Sequence, residues 1–216
     1  MVKKIVITIS SIIIFSIPAV IWYKKTGDLS FYFSSSVPAG QLFYVLSKLA
    51  GMYTLMFIAW QIIATLLTKL EILQLRWLGL MHGIFGSLIV ILAMSHAVLF
   101  FLAMSERQGF PAWALLIPDF SSYYHTRLTF GLMGLVSLLA VSITGLLRLR
   151  QQFSFVKKLH NLYWLAIGFS YIHALSIGTE SQTQAGLALY LTLGVIAIFL
   201  WILFMIKQLK TRAVFE

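Results

Sequence analysis

Residues 78–104 read LGLMHGIFGSLIVILAMSHAVLFFLAM, without one Asp, Glu, Lys or Arg. A helix needs roughly 20 mostly apolar residues to cross the ~30 Å hydrocarbon layer of a bilayer, and this stretch is long enough. It nevertheless carries two histidines, His82 and His96. An ionisable ring in hydrocarbon is costly and usually faces a partner in the interior of a helix bundle. One such ring is easily a structural hydrogen bonder; a pair on one span invites a search for a matching pair.

Five further stretches qualify as spans: Ile5–Tyr23, Phe43–Leu67, Leu128–Leu147, Leu159–Ile177 and Ala185–Ile206. The expected fold class is an all-α membrane protein, a six-helix transmembrane bundle. Composition agrees. The 216 residues are 60% hydrophobic and 10% charged, with mean hydropathy +0.93. A soluble domain runs near roughly 25% charged, and a disordered chain is polar and charge-rich, so both are excluded. Cysteine is absent, which removes disulfides, thiolate metal sites, iron–sulfur clusters and thiol catalysis. Six acidic residues are too few for a carboxylate metal cage or a credible Ser–His–Asp arrangement. The net charge of +10 is spread thinly between apolar runs. It reads as the cytoplasmic bias of a membrane protein rather than as a nucleic-acid surface.

Lys3 and Lys4 before an apolar run resemble a signal peptide. The run is long, however, and it ends in Trp22, Tyr23, Lys24 and Lys25 with no small-residue cleavage pair, so a retained span is expected. With the N-terminus inside, the inner segments hold eleven basic residues and the outer ones five. This places both termini in the cytoplasm and makes spans three and five parallel. The stretch Phe110–Phe120 (FPAWALLIPDF) is apolar but broken by Pro111 and Pro118. It is expected to cap the outer end of the bundle. No Gly-rich dinucleotide fingerprint occurs, so residues 1–216 read as one domain without a fused flavin or nicotinamide module. The expected location is a cell membrane, multi-pass, and a bacterial inner membrane in particular.

Span five carries the matching pair, His160 and His173. The steps of 14 residues in span three and 13 in span five amount to ~21 and ~20 Å along a helix axis. His82 and His160 lie near the inner ends, and His96 and His173 near the outer ends. Two facing pairs, one per leaflet, suit two bis-histidine haems. A tetrahedral zinc site cannot gather ligands so far apart. Rotation is less tidy: a 14-residue step returns within about 40° of the same face, and a 13-residue step misses by about 140°. Span five must bend, bulge or use different ring directions, and Gly168 is the candidate point of distortion. Gly79, Gly83 and Gly86 around His82 either leave room for a flat macrocycle or pack helices. Gly131, Gly134, Ser137 and Gly145 read as helix packing. Met81 and Met94 read as filler.

The run R76-W-L-G-L-M-H82, then His96, then L159-H160-N-L-Y-W and I172-H173, resembles the ferric reductase-like transmembrane family. That family includes NADPH oxidases, ferric-chelate reductases and the haem-binding membrane subunit of the bacterial methionine sulfoxide reductase system. The likeness spans roughly the second to the sixth span. It implies an oxidoreductase component that carries electrons through two b-type haems, ligated by His82 and His160 on the inner side and by His96 and His173 on the outer side. The chain departs from the oxidases. Phe100 stands where they carry a further His, and span two has no Arg, so the stand-alone sulfoxide reductase subunit or a ferric reductase membrane component is the better analogue.

The implied partners are membrane lipid, a separate cytoplasmic flavoprotein or reductase as donor, and an extracytoplasmic acceptor; flavin and NAD(P)H would sit only on the donor. With the interior negative, outward electron movement is downhill by about 2.3 kcal/mol per 100 mV for a full crossing. Arg76, with Arg148, Lys157 and Lys158, lies near the inner plane, and Arg127 and His125 lie near the outer one. Arg127 is the leading candidate for pairing with a haem propionate, whereas the inner lysines are explained by snorkelling and topology. His125 is an alternative neighbour for the acceptor. Phe85, Trp164 and Phe169 are candidates for the space between haems. The competing expectations are a single-haem membrane subunit of the sulfoxide reductase type and a haem-free transporter or scaffold.

Overall fold

The computed structural model describes residues 2–34, 36–72, 78–150, 154–160 and 162–213; the side chains of 2–12, 78–80, 148–150, 154, 157 and 212–213 are not described. Arg76 therefore lies outside the described residues, as do the side chains of Arg148 and Lys157. The described chain is all helical. Its α-helices are α1 (Val2–Thr26), α2 (Gln41–Lys69), α3 (Leu78–Gln108), α4 (Tyr123–Arg150), α5 (Ser154–His160), α6 (Tyr163–Ile177) and α7 (Gln184–Ala213). Short 3₁₀ turns occupy Leu29–Phe33 and Trp113–Leu116.

Four of these helices are long and apolar enough to cross a membrane: Gln41–Lys69, Met81–Gln108, Tyr123–Leu147 and Gln184–Thr211. The first expected span is the helix α1, with Pro18 inside it. The fifth expected span is not one continuous helix. It divides into α5, which ends at His160, and the 15-residue α6, which begins at Tyr163. The Leu162 N–H donates to the Leu159 carbonyl at 2.9 Å, the tightened spacing that marks an interrupted α-helix. Gly168 was the expected point of distortion, but α6 runs through it. Among the described residues the departure from regular helix between the two histidines falls at Leu162.

α2 is the hub, packing on α1, α3 and α7. Its Met56, Ala59, Ile63 and Leu66 meet Leu193 and Leu200 of α7. Val45 and Met52 meet Ile21 and Trp22 of α1, and the Trp22 indole donates to the Val45 carbonyl at 2.6 Å. Elsewhere large apolar side chains turn outward: Ile91, Val136, Ile143, Val195 and Ile198 are all more than half exposed. In water such an apolar surface is a liability; in hydrocarbon it carries no penalty. The Lys207 ammonium meets the Glu71 carboxylate at 2.8 Å. That hydrogen bond first, and the charge behind it, hold the Glu71 carboxyl below its usual range.

The helices bearing histidine each lean on a different neighbour. α3 packs closely on α2, while α5 and α6 pack on α4; α3 and α6 make no comparable backbone approach.

Candidate functional site

The four histidines meet in two pairs. His82 of α3 faces His160 of α5, with ring centroids 6.2 Å apart and ring planes at 64°. His96 of α3 faces His173 of α6, at 6.1 Å and 70°. The two spacings are nearly equal and lie within the range of an edge-to-face ring contact. They can be tested against a shared ligand. A metal–imidazole nitrogen bond is ~2 Å and a ring nitrogen lies ~1 Å from its ring centre, so two imidazoles on opposite sides of one metal have centroids about 6 Å apart. Both pairs have the centroid spacing that a bis-histidine iron would require. Among the described residues there is no group of three or more His, Cys, Asp or Glu side chains suited to a metal ion.

Hydrogen bonding fixes the ring tautomers. The His96 Nδ1–H donates to the Ser47 carbonyl at 2.8 Å, the His173 Nδ1–H to the Arg127 carbonyl at 2.8 Å, and the His160 Nδ1–H to the Val141 carbonyl at 3.2 Å. A carbonyl has no proton to give, so each Nδ1 carries the hydrogen and Nε2 keeps its lone pair. A ligating histidine takes this form, its orientation set by the group behind it. His82 is held instead by the Gln61 amide, 2.7 Å from Nδ1. The buried Gln61 Oε1 has no hydrogen-bond partner. The same amide nitrogen lies 3.3 Å from His82 Nε2, so this contact, unlike the three carbonyls, reaches both ring nitrogens.

Glycines on the flanking helices make room for three of the rings. A Cβ on Gly51 of α2 would lie 2.9 Å from His96 Nδ1, one on Gly131 of α4 would lie 2.7 Å from His173 Nδ1, and one on Gly145 would lie 3.5 Å from His160 Cε1. Gly131 and Gly145, expected to serve helix packing alone, are thus placed against histidines. Gly83 and Gly86 have open space where a Cβ would stand, so close helix packing does not explain them.

The 96/173 pair opens on a cavity of about 350 Å³. α2 lines it with Tyr44, Ser47, Lys48 and Gly51, which share one helical face at i, i+3, i+4 and i+7. α4 contributes Leu128, Gly131 and Leu135, and the Trp113–Leu116 turn contributes Leu115 and Leu116. The turn belongs to the stretch expected to cap the bundle. It is anchored where Ser105 Oγ accepts from the Ala112 N–H and Thr129 Oγ1 accepts from the Asp119 N–H.

Other expected residues take different places. Arg127 is not among the residues lining the cavity. Its carbonyl holds His173, while its guanidinium lies over the Tyr123 and Phe130 rings and its buried Nε has no hydrogen-bond partner among the described residues. His125 is exposed and pairs with Asp119 at 2.6 Å. The Ser121 backbone N–H first, with the Ser121 side chain and His125 behind it, holds the Asp119 carboxyl below its usual range. Phe85 stacks on Phe57 of α2, Phe169 on Phe130 of α4, and Trp164 meets Trp201 of α7 edge-on.

Sequence reasoning missed Ser47, Lys48, Gly51, Gln61 and Glu180. The polar stripe Tyr44–Ser47–Lys48–Gly51 and the lone amide of Gln61, both in an apolar span, were the available signals. Comparison with protein-family models, curated proteins and solved structures gave no match.

Proposed function

We propose that the chain is a six-span, di-haem b-type electron-transfer subunit of the ferric reductase-like kind. The two stacked histidine pairs, each at the centroid spacing of a bis-histidine iron, are the observation that carries this reading. His82 and His160 would hold an inner haem, and His96 and His173 an outer one. When bound, such a group supplies one-electron oxidation and reduction. The chain's own part is to fix four imidazoles through Gln61, Val141, Ser47 and Arg127 and to surround the outer pair with apolar side chains. In this arrangement α1, α2, α3, α4, α5 with α6, and α7 are the six spans, with both termini cytoplasmic. A separate flavoprotein or reductase would deliver electrons inside, and an acceptor outside would take them.

Four single substitutions test the ligand set. His82→Ala or His160→Ala should leave a chain with the outer haem alone. His96→Ala or His173→Ala should leave the inner haem alone, still reducible from the cytoplasmic side. Wild-type haem content in all four variants would refute the assignment.

A single-haem form of the same reading draws on the asymmetry of the two pairs. The described cavity encloses His96 and His173, while His82 is exposed and held by a side chain. One haem per chain, lost on replacing His96 and kept on replacing His82, would favour that form.

A further inference from the structure

Lys48 is the cationic side chain that α2 presents to the cavity of the 96/173 pair. It follows Ser47, whose carbonyl orients His96, and lies one turn before Gly51, which makes room for that ring. Its ammonium sits 4.3 Å above the Tyr44 ring and 3.1 Å from the Glu180 carboxylate. Glu180 is 5% exposed, comes from the turn between α6 and α7, and also lines the cavity. It accepts a further bond from the Thr179 hydroxyl at 2.7 Å. The cavity wall therefore already holds a carboxylate against this ammonium. An ammonium has three donors, and the contact to Glu180 uses one. Arg127, by contrast, has its charge over Tyr123 and Phe130.

We propose that Lys48 binds a propionate carboxylate of the porphyrin held between His96 and His173, with Glu180 steadying the ammonium and weakening its pull on a second carboxylate. The inference rests on the haem reading above. It assigns the outer propionate contact to α2 and to a residue the sequence presents only as a topological charge.

The test uses the full-length His82→Ala protein, stripped of haem, so that one histidine pair takes up the porphyrin. Soret titrations compare haem b with its dimethyl ester, which lacks the propionate charges. The measured quantity is the ratio of the two affinities within each variant, so a general loss of folding cancels. With Lys48 intact the free acid should bind about tenfold more tightly or better, as expected for a charged hydrogen bond. Glu180→Gln should raise this ratio. Lys48→Met combined with Glu180→Gln, which removes the buried pair together, should bring it close to one. A ratio unchanged in that double variant overturns the role of Lys48 and leaves the haem reading standing. Failure of both porphyrins to bind with Lys48 intact overturns the haem reading at this pair, and the inference with it.

Discussion

At each of three histidines one main-chain carbonyl takes the Nδ1 hydrogen and one helical glycine leaves the space for the ring. The ring is thereby held from behind, and Nε2 is the nitrogen left for the proposed iron. The grading of the glycine approaches gives a graded prediction. Gly131→Ala, with a Cβ at 2.7 Å from His173 Nδ1, and Gly51→Ala, at 2.9 Å from His96 Nδ1, should displace an outer ligand. Loss of such a supporting contact weakens metal binding roughly 10- to 100-fold, measurable as outer-haem affinity. Gly145→Ala meets His160 at an ordinary 3.5 Å, so inner-haem affinity should stay at the wild-type value. At this scale the histidines were legible in the sequence, because ionisable side chains stand out in an apolar run. Their supports were not. A carbonyl leaves no trace in residue identity, and Gly131 looks the same whether it faces a helix or an imidazole. Lys48 and Glu180 lie far apart in the chain, so nothing local joins them.

Between elements, the decisive feature is the interruption separating α5 from α6. Of the six stretches picked by hydropathy, four correspond to helices long and apolar enough to cross a membrane, and the 13-residue step showed that span five could not be a regular helix with both histidines on one face. It could not show where the irregularity falls. Gly168 carries the freest backbone, yet α6 runs through it and the described departure from regular helix falls at Leu162. Register across this point should therefore be sensitive. One alanine inserted between Leu162 and Tyr163 turns α6 by ~100° relative to α5 if the added residue is absorbed into the helix. The expected outcome is a protein that keeps the inner haem and loses the outer one, read from haem content per chain. Two haems in the insertion variant would show that the interruption does not set the geometry.

For the whole molecule, four long apolar helices and their outward-facing apolar residues suit a bilayer, and the proposed six-span arrangement sets both termini on one side. The absence of cysteine makes this simple to check, because a single introduced thiol is unique. Ser121→Cys, in the exposed segment before α4, should react with a membrane-impermeant maleimide added to intact cells; Lys210→Cys, near the end of α7, should react only after the cells are opened. The reverse pattern would invert the bundle and exchange the proposed donor and acceptor sides. The most direct measurement is the haem-to-protein ratio of the purified chain, with its reduced-minus-oxidised spectrum after dithionite. Two haems per chain with a low-spin, bis-histidine b-type spectrum are expected. A colourless protein that takes up no haem on reconstitution would contradict the assignment of the paired histidines as iron ligands.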